Sequence, residues 1–102
     1  MSVMVITRFA VPVSKFEELI AGKHHDTLLR AAEDGKAKGA IHHQVVEDTD
    51  QSFLVVDEWE TEEAFHAFFD NQQDIQAAMA DAGVREPPTT VSHRILDTPD
   101  RF

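Results

Sequence analysis

The segment Phe53-Leu-Val-Val-Asp-Glu-Trp59 is followed after one residue by Thr61-Glu-Glu-Ala-Phe-His-Ala-Phe-Phe69, and these two segments decide the fold. The first is almost continuously apolar, so both of its faces carry apolar side chains, as in a strand at the centre of a sheet. The second repeats apolar residues at helical spacing. Thr61 is suited to cap this helix, and Glu62 and Glu63 lie in the first turn, where they favour the helix dipole. We therefore expect a central strand that leads into a helix covering one of its faces.

Three further strands are predicted, at residues 3–11, 40–47 and 89–96. The first is apolar on both faces, whereas the other two mix apolar residues with His, Gln, Thr or Arg. The polar segment at residues 48–52 has the composition of a turn, so the strands on either side of it are expected to form a hairpin.

Two helical regions connect these strands. The first is expected to begin at Ser14 as N-cap, and its apolar stripe changes side near Gly22, which indicates a bend or two short helices. A polar, glycine-bearing loop is predicted at residues 33–39. The second region begins at Thr61, and an interruption at residues 71–72 is expected before a further helical piece.

The predicted order of elements is β-α-β-β-α-β. This order is that of a ferredoxin-like α+β fold, a four-stranded antiparallel sheet with helices on one face. With 102 residues the chain is expected to form a single domain, residues 1–102. In this plan the first and third strands are central and the second and fourth are edges, which agrees with their relative apolarity.

The helices of such a fold cover only one face of the sheet. The first and third strands are apolar on both faces, with Met4 and Ile6 against Val3, Val5 and Phe9, and Leu54 and Val56 against Phe53 and Val55, so an apolar patch would stay uncovered. A patch of several strands is large for a monomer, and a second copy packed sheet to sheet would cover it. We therefore expect a homodimeric α/β barrel; the alternative is a monomer with an unusually apolar sheet face.

The composition excludes several classes of partner. Nine basic residues against nineteen acidic ones give a net charge of −10, which repels nucleic acid, and no basic cluster suits an anionic membrane. The absence of cysteine excludes disulfides and thiolate ligands. The N-terminal segment resembles a strand more than a signal peptide, and no apolar run approaches the roughly 20 residues that span a bilayer. A cytoplasmic protein is the expectation.

The segment Val55-Val-Asp-Glu-Trp-Glu-Thr-Glu-Glu-Ala-Phe65 resembles the strand-three and helix-two signature of the antibiotic biosynthesis monooxygenase (ABM) domain family, within the dimeric α/β-barrel superfamily. Gly39-Ala-Ile-His42 resembles the turn that enters strand two of that family. Ala82-Gly-Val84 and Pro87-Pro88 fit the approach to strand four. The resemblance covers about residues 3–97 and implies the same fold, a homodimer, and a pocket between sheet and helices.

The motifs of this chain do not assign it either of the activities known in the ABM family. Some members oxidise aromatic, polyketide-like phenols to quinones with O2 and no cofactor, and others bind and degrade haem. Members that act on haem present an Asn from the first strand and a His from the second helix; here that strand has no Asn, and the helix position is Phe68. Cofactor-free members use Asn, Tyr and Arg, whereas this chain has no Tyr and only Asn71 as Asn.

The six histidines are the main candidates for reactive residues in the chain. Histidine titrates near neutral pH and serves as acid, base or metal ligand. No pair has the His-x-x-x-His spacing of a helical metal site, so no metal is expected. His43 and His93 share strand faces with apolar neighbours (Ile41 and Val45 for His43) and are the candidate catalytic residues. The alternative for both is a half-buried, hydrogen-bonded edge histidine.

Four further residues are candidates for binding a substrate: Trp59, His24, His66 and Phe68. Trp59 can stack on a planar ligand or serve as a core anchor, and Phe68 is suited to the core as well as to a pocket wall. His24, with His25 near the predicted bend, is placed either at a pocket mouth or on the surface. Asp57 is expected to pair with Arg8 of the neighbouring strand.

The leading functional hypothesis is an ABM-like monooxygenase that needs no cofactor. It would act on a small aromatic, polyketide-like or quinol substrate, with a pocket histidine removing the phenolic proton before electrons pass to O2. The alternative is a dimer that binds or senses a small molecule without catalysis. A third possibility, an accessory dimer with a filled core, requires that no pocket exists.

Overall fold

A computed structural model describes residues 2–84 and 86–102 of the chain. The described part contains four strands and four helices. They are β1 (Val3–Phe9), α1 (Val13–Ala21), α2 (His25–Ala37), β2 (Ala40–Thr49), β3 (Ser52–Trp59), α3 (Glu62–Phe69), α4 (Gln73–Asp81) and β4 (Thr89–Arg94).

The strands form one antiparallel sheet in the order β2-β3-β1-β4. This arrangement confirms the ferredoxin-like α+β fold, with β1 and β3 in the centre and β2 and β4 at the edges. The hairpin between β2 and β3 is also as expected, since Thr49 lies opposite Ser52.

The helices pack on the face of the sheet that carries the buried side chains of the two central strands. The core divides into two clusters. One contains Phe9, Phe53 and Met79, and the other contains Trp59 and Phe65 together with Val5 of β1. Aromatic stacking reinforces the first cluster, where the ring centroids of Phe9 and Phe53 lie 5.1 Å apart.

The first helical region differs from the expectation at its start and at its end. Pro12 and not Ser14 is the N-cap of α1, and no side-chain hydrogen bond caps this helix. The predicted break near Gly22 is confirmed. The prediction of a loop at residues 33–39 was wrong for most of this segment, because α2 continues to Ala37. Gly35 is buried there, and packing against the rest of the molecule outweighs the low helix propensity of glycine.

The second helical region follows the prediction closely. The side chain of Thr61 accepts a hydrogen bond from the backbone N–H of Ala64 at 3.0 Å, which confirms the N-cap. The helix is interrupted between Phe69 and Gln73, as the pattern at residues 71–72 indicated.

Strand β2 contains a bulge that changes which side chains share a face. Ala40 lies opposite Trp59 and His42 lies opposite Glu58, so Ile41 is the extra residue. As a result Ala40 and His43 both face the helices, and Ile41 is 45% exposed. The expectation that Ile41 and His43 share a face was therefore wrong.

The other face of the sheet carries half-buried Met4, Ile6, Leu54 and Val56, with no helix of the described chain over them. A polar group interrupts this face: Glu58, which is buried and accepts hydrogen bonds from Ser2 and Arg101. None of the helices in the described ranges is long and apolar enough to cross a membrane.

Candidate functional site

A cavity of about 120 Å³ lies between the sheet and the helices, where the two core clusters meet. Its floor is formed by β1, β2 and β3, and its walls by all four helices. Most of the lining is apolar and aromatic. The polar side chains among the lining residues are those of Thr7, His43 and Asp57. The core is therefore not filled, contrary to what the accessory-dimer alternative requires.

His43 and Asp57 form a hydrogen-bonded pair at the edge of this cavity. They lie directly opposite each other on β2 and β3. Nδ1 of His43 is 2.6 Å from Oδ1 of Asp57. The Asp57 side chain is only 10% exposed, whereas half of the His43 side chain is in contact with solvent. The pair thus joins the buried floor of the cavity to its open side.

Trp59 holds the second oxygen of the same carboxylate. Its indole Nε1 donates to Oδ2 of Asp57 at 3.2 Å, and because the two residues are two apart on β3 their side chains share a face. Trp59 is almost completely buried and contacts the rings of Phe65 and Phe68, at centroid distances of 5.8 and 5.2 Å. Both oxygens of Asp57 are therefore fixed, one by His43 and one by Trp59.

The pair determines the protonation of His43. The hydrogen bond to Asp57 raises the pKa of His43 most; partial burial opposes this rise, and the charge of Asp57 adds to it. A carboxylate only accepts hydrogen bonds, so Nδ1 of His43 carries the proton in this pair and Nε2 is the basic nitrogen of the neutral ring. This arrangement is that of an oriented general base.

Small residues on α2 form part of the cavity wall opposite the sheet and leave room for the Phe68 ring. A Cβ atom placed on Gly35 would lie 3.2 Å from Cζ of Phe68, closer than ordinary carbon contacts. Ala31 and Gly35 both line the cavity, one helical turn apart. The absence of a side chain at Gly35 therefore gives the Phe68 ring its position beside the cavity.

The structure brings three of the six candidate residues together and separates the others. His43, Trp59 and Phe68 line the cavity. His93 lies opposite Met4 of β1 and belongs to the other face of the sheet, where it is exposed.

His24 and His66 also lie outside the cavity lining. Nε2 of His24 is 2.7 Å from Oδ2 of Asp81, and this hydrogen bond, together with one from Lys23, lowers the pKa of Asp81. His66 is exposed on α3 beside Glu62, one turn earlier. His24 therefore does not lie at a pocket mouth. Its hydrogen bond with Asp81 connects the start of α2 to the end of α4.

The sequence did not predict that Asp57 belongs to the candidate site. The expected pair with Arg8 was wrong, because Arg8 lies on the other face of the sheet and Nε of Arg8 contacts Asp48 at 3.1 Å. Asp57 shares a sheet face with Trp59, two residues further along β3. Arg8 of β1 lies opposite Leu54, on the other face. A regular count back from the turn, where Thr49 lies opposite Ser52, would have placed Gln44 and not His43 opposite Asp57, because the strands shift in register between Glu47 and Thr49.

In the described ranges, no group of three or more His, Cys, Asp or Glu side chains is arranged to hold a metal ion. Among the described lining residues, the groups suited to a metal are the imidazole of His43 and the carboxylate of Asp57, and they are hydrogen-bonded to each other. Such a pair suits proton transfer better than metal binding.

The sequence matches no protein-family model, and no curated protein matches it. Solved structures do match its fold. SnoaB, a cofactor-independent oxygenase from Streptomyces nogalater, is 19% identical over 98% of each chain, with a TM-score of 0.64.

Two other structures are provisionally named antibiotic biosynthesis monooxygenases. The one from Nitrosomonas europaea is 15% identical over 93% of this chain and 90% of its own, and the one from Bordetella bronchiseptica is 19% identical over 93% and 97%; both have a TM-score of 0.66. These likenesses confirm the fold that the ABM resemblance implied.

Proposed function

We propose that this chain, which shares its fold with structures named antibiotic biosynthesis monooxygenases, is a cofactor-independent monooxygenase of small phenols or quinols. The observation that carries the proposal is the His43–Asp57–Trp59 array at the edge of an otherwise apolar cavity. An oriented base next to an apolar cavity suits removal of a phenolic proton followed by reaction with O2, which is itself apolar.

The cavity volume favours a single aromatic ring. An engineered protein cavity of about 150 Å³ binds benzene, and the cavity here is of the same order, about 120 Å³. A three-ring polyketide would need the open side of the cavity as well. A quinol with one ring is therefore the preferred substrate among the aromatic classes considered from the sequence.

The reaction balances with O2 as the oxidant. Nε2 of His43 takes the hydroxyl proton of hydroquinone, and Asp57 stabilises the imidazolium that forms. The phenolate passes one electron to O2, and the two radicals combine to form a C–O bond at the neighbouring ring carbon. His43 returns its proton to the peroxide. The carbon then loses its hydrogen as a proton, the O–O bond breaks, and water leaves. Hydroquinone and O2 thus give hydroxybenzoquinone and water, a four-electron oxidation.

No flavin, haem or metal takes part in this scheme. Support for this comes from SnoaB, whose name describes a cofactor-independent oxygenase, and from the haem-binding His of the ABM resemblance being replaced here by Phe68. The Phe68 ring packs on Trp59 at the cavity, with no donor atom to offer to iron.

We also propose that the protein is a homodimer whose two sheets pack face to face. The side chains that support this lie on the face without helices: half-buried Ile6, Leu54 and Val56, and exposed Val46 and Val91. Although Glu58 interrupts this face, so many apolar side chains on it favour an isologous contact with a second copy. Because the cavity lies on the opposite face, each subunit would keep its own site.

The test is oxygen consumption by the purified protein with hydroquinone and with an anthrone, in the presence of a chelator and without added cofactor. We expect O2 uptake with hydroquinone and one hydroxybenzoquinone formed per O2. His43→Gln should lower the rate by about 10²- to 10⁴-fold, the range typical of a lost general base.

His93→Gln is the matched control, because His93 is another strand histidine but lies on the other face of the sheet. It should leave the rate within about twofold, since only groups at the reacting atoms contribute the full effect of general-base catalysis. Saturable ligand binding with no O2 uptake would instead support the non-catalytic binding protein. Equal losses in both variants would remove His43 from the mechanism.

A further inference from the structure

Among the described residues that line the cavity, Thr7 carries a polar group outside the His43–Asp57–Trp59 array. Thr7 is only 3% exposed and lies in the middle of β1, between Val5 of one core cluster and Phe9 of the other. Its hydroxyl contacts that of Thr90 at 3.4 Å. This distance is long for a hydrogen bond between hydroxyl groups, which is usually between about 2.5 and 3.0 Å. A buried hydroxyl held so weakly is available to a ligand in the cavity.

The sheet register sets the distance between Thr7 and His43. Thr7 lies opposite Val55 on β3, and Val55 lies opposite Val45 on β2. His43 is two residues from Val45 along β2, so Thr7 and His43 are separated by two strand spacings across the sheet and by two residues along it. With about 4.8 Å between strands and about 3.4 Å per residue, their Cα atoms lie about 12 Å apart. Both side chains point towards the helices and into the same cavity.

Side chains stand roughly perpendicular to a sheet, so two side chains on one face lie about as far apart as their Cα atoms. A separation of about 12 Å is close to the length of one aromatic ring with hydrogen-bonded polar groups at opposite ends. Two para oxygens on a benzene ring are about 5.5 Å apart, and a hydrogen bond of about 2.8 Å at each end extends the span to about 11 Å. A ring held in this way would lie over Val55 of the central strand, with the small side chains of α2 above it. A phenol with one hydroxyl reaches one of the two groups but not both.

We propose that Thr7 is a positioning and specificity-determining residue: its hydroxyl binds the substituent para to the group that His43 deprotonates. The inference rests on the proposed function for the role of His43 but concerns binding, which is measured without turnover. It selects single-ring substrates with a polar group at each end over phenols with one. The second contact also fixes the ring so that one hydroxyl is held at Nε2 of His43.

The test is anaerobic titration of the protein with hydroquinone, with its 1,3 isomer resorcinol and with phenol, followed by calorimetry. Under argon no oxidation occurs, so the binding result stands apart from any failure of the oxygenase assay. We expect hydroquinone to bind about tenfold more tightly than phenol, the upper range for one neutral hydrogen bond, and more tightly than resorcinol.

Thr7→Val should remove this preference and leave the affinity for phenol within about twofold. Thr7→Ser, which keeps the hydroxyl, should retain most of it.

Thr90→Val is the matched control for a purely structural role of Thr7. It removes the same Thr7–Thr90 contact but leaves the Thr7 hydroxyl in place. We expect it to preserve the preference for hydroquinone. A Thr90→Val variant that loses the preference as fully as Thr7→Val would overturn the proposal, as would equal losses for hydroquinone and phenol in Thr7→Val. Absence of measurable hydroquinone binding to a folded wild-type protein would overturn it as well.

Discussion

Nδ1 of His43 lies 2.6 Å from Oδ1 of Asp57, across two neighbouring antiparallel strands. The contact is short because a carboxylate and an imidazole N–H form a charge-assisted hydrogen bond. Trp59 donates to the other oxygen of Asp57, so the carboxylate cannot turn away from the imidazole. A histidine on an edge strand, half exposed, thereby acquires a fixed orientation and a fixed tautomer.

The pH dependence of activity follows from this pair. Asp57 raises the pKa of His43 above its ordinary value of 6.5, chiefly through the hydrogen bond. The neutral imidazole accepts the substrate proton, so we expect O2 uptake to increase with pH, with a midpoint above 6.5. Asp57→Asn removes the charge and should shift the midpoint to lower pH while lowering the maximal rate. Unchanged midpoints in the two proteins would contradict the assignment of His43 as base.

The same pKa shift makes a contribution to stability with a definite sign. Folding raises the pKa of His43, so the protonated form is favoured in the folded state. This contribution is fully present below the unfolded pKa and is lost as the pH rises through the folded pKa. Urea unfolding of the wild type and of His43→Gln should therefore give free energies that differ more at pH 5.5 than at pH 9. Titration of His43 by NMR gives the folded pKa directly.

Trp59→Phe separates the hydrogen bond of the indole from its packing. The variant keeps an aromatic ring next to Phe65 and Phe68 but leaves Oδ2 of buried Asp57 without its N–H donor. We expect the free energy of unfolding to fall by about 1–3 kcal/mol, the usual cost of an unsatisfied buried group. Chemical denaturation checks the value, and Phe65→Leu, which alters the same cluster without touching Asp57, is the control. A pKa of His43 that changes in Trp59→Phe but not in Phe65→Leu would support the linkage through Asp57.

Gly35→Ala tests whether α2 sets the cavity size. The new Cβ would lie 3.2 Å from Cζ of Phe68, so the ring must move by a few tenths of an ångström. Alanine also gains about 1 kcal/mol of helix propensity over glycine, so we expect little change in stability. Affinity for hydroquinone should fall, and the additional change Phe68→Leu should restore it by removing the ring atom that is contacted. Unchanged affinity in Gly35→Ala would show that the ring is displaced away from the cavity.

Val56→Lys tests the proposed dimer. Val56 is half-buried in the centre of the sheet face that carries no helix, and it lies opposite Ile6 of β1. A charge in a buried apolar interface is costly without a partner, so light scattering at micromolar concentration should detect a dimer for the wild type and a monomer for the variant. Leu29→Lys is the matched control, because Leu29 is 55% exposed on α2, on the helix side of the molecule. A monomeric wild type would remove the dimer proposal.

Much of the fold was predictable because it depends on local patterns. The apolar run at residues 53–59, the turn at residues 48–52 and the cap at Thr61 each act over a few neighbouring residues, and they led to the correct strand order. The extension of α2 to Ala37 was not predictable in the same way. Residues 33–37 have the composition of a loop, and their helix depends on burial of Gly35 against Phe68, which is distant in sequence.

The candidate site was predictable only in part. His43, Trp59 and Phe68 were selected from their residue types and positions, and all three line the cavity. His93 was selected by the same reasoning and lies on the other face, because alternation along a strand does not reveal which face meets the helices.

The sequence by itself determined that Phe53–Trp59 is a central strand, since apolar residues on both faces of a strand are typical of the centre of a sheet. The tertiary structure decided what Asp57, the charge within that strand, does. A register shift of one residue between Glu47 and Thr49 brings His43 opposite Asp57, and Trp59 then donates to the other oxygen of Asp57. Such contacts depend on which residues of separate strands meet, and an alternating pattern within one strand carries no information about that pairing.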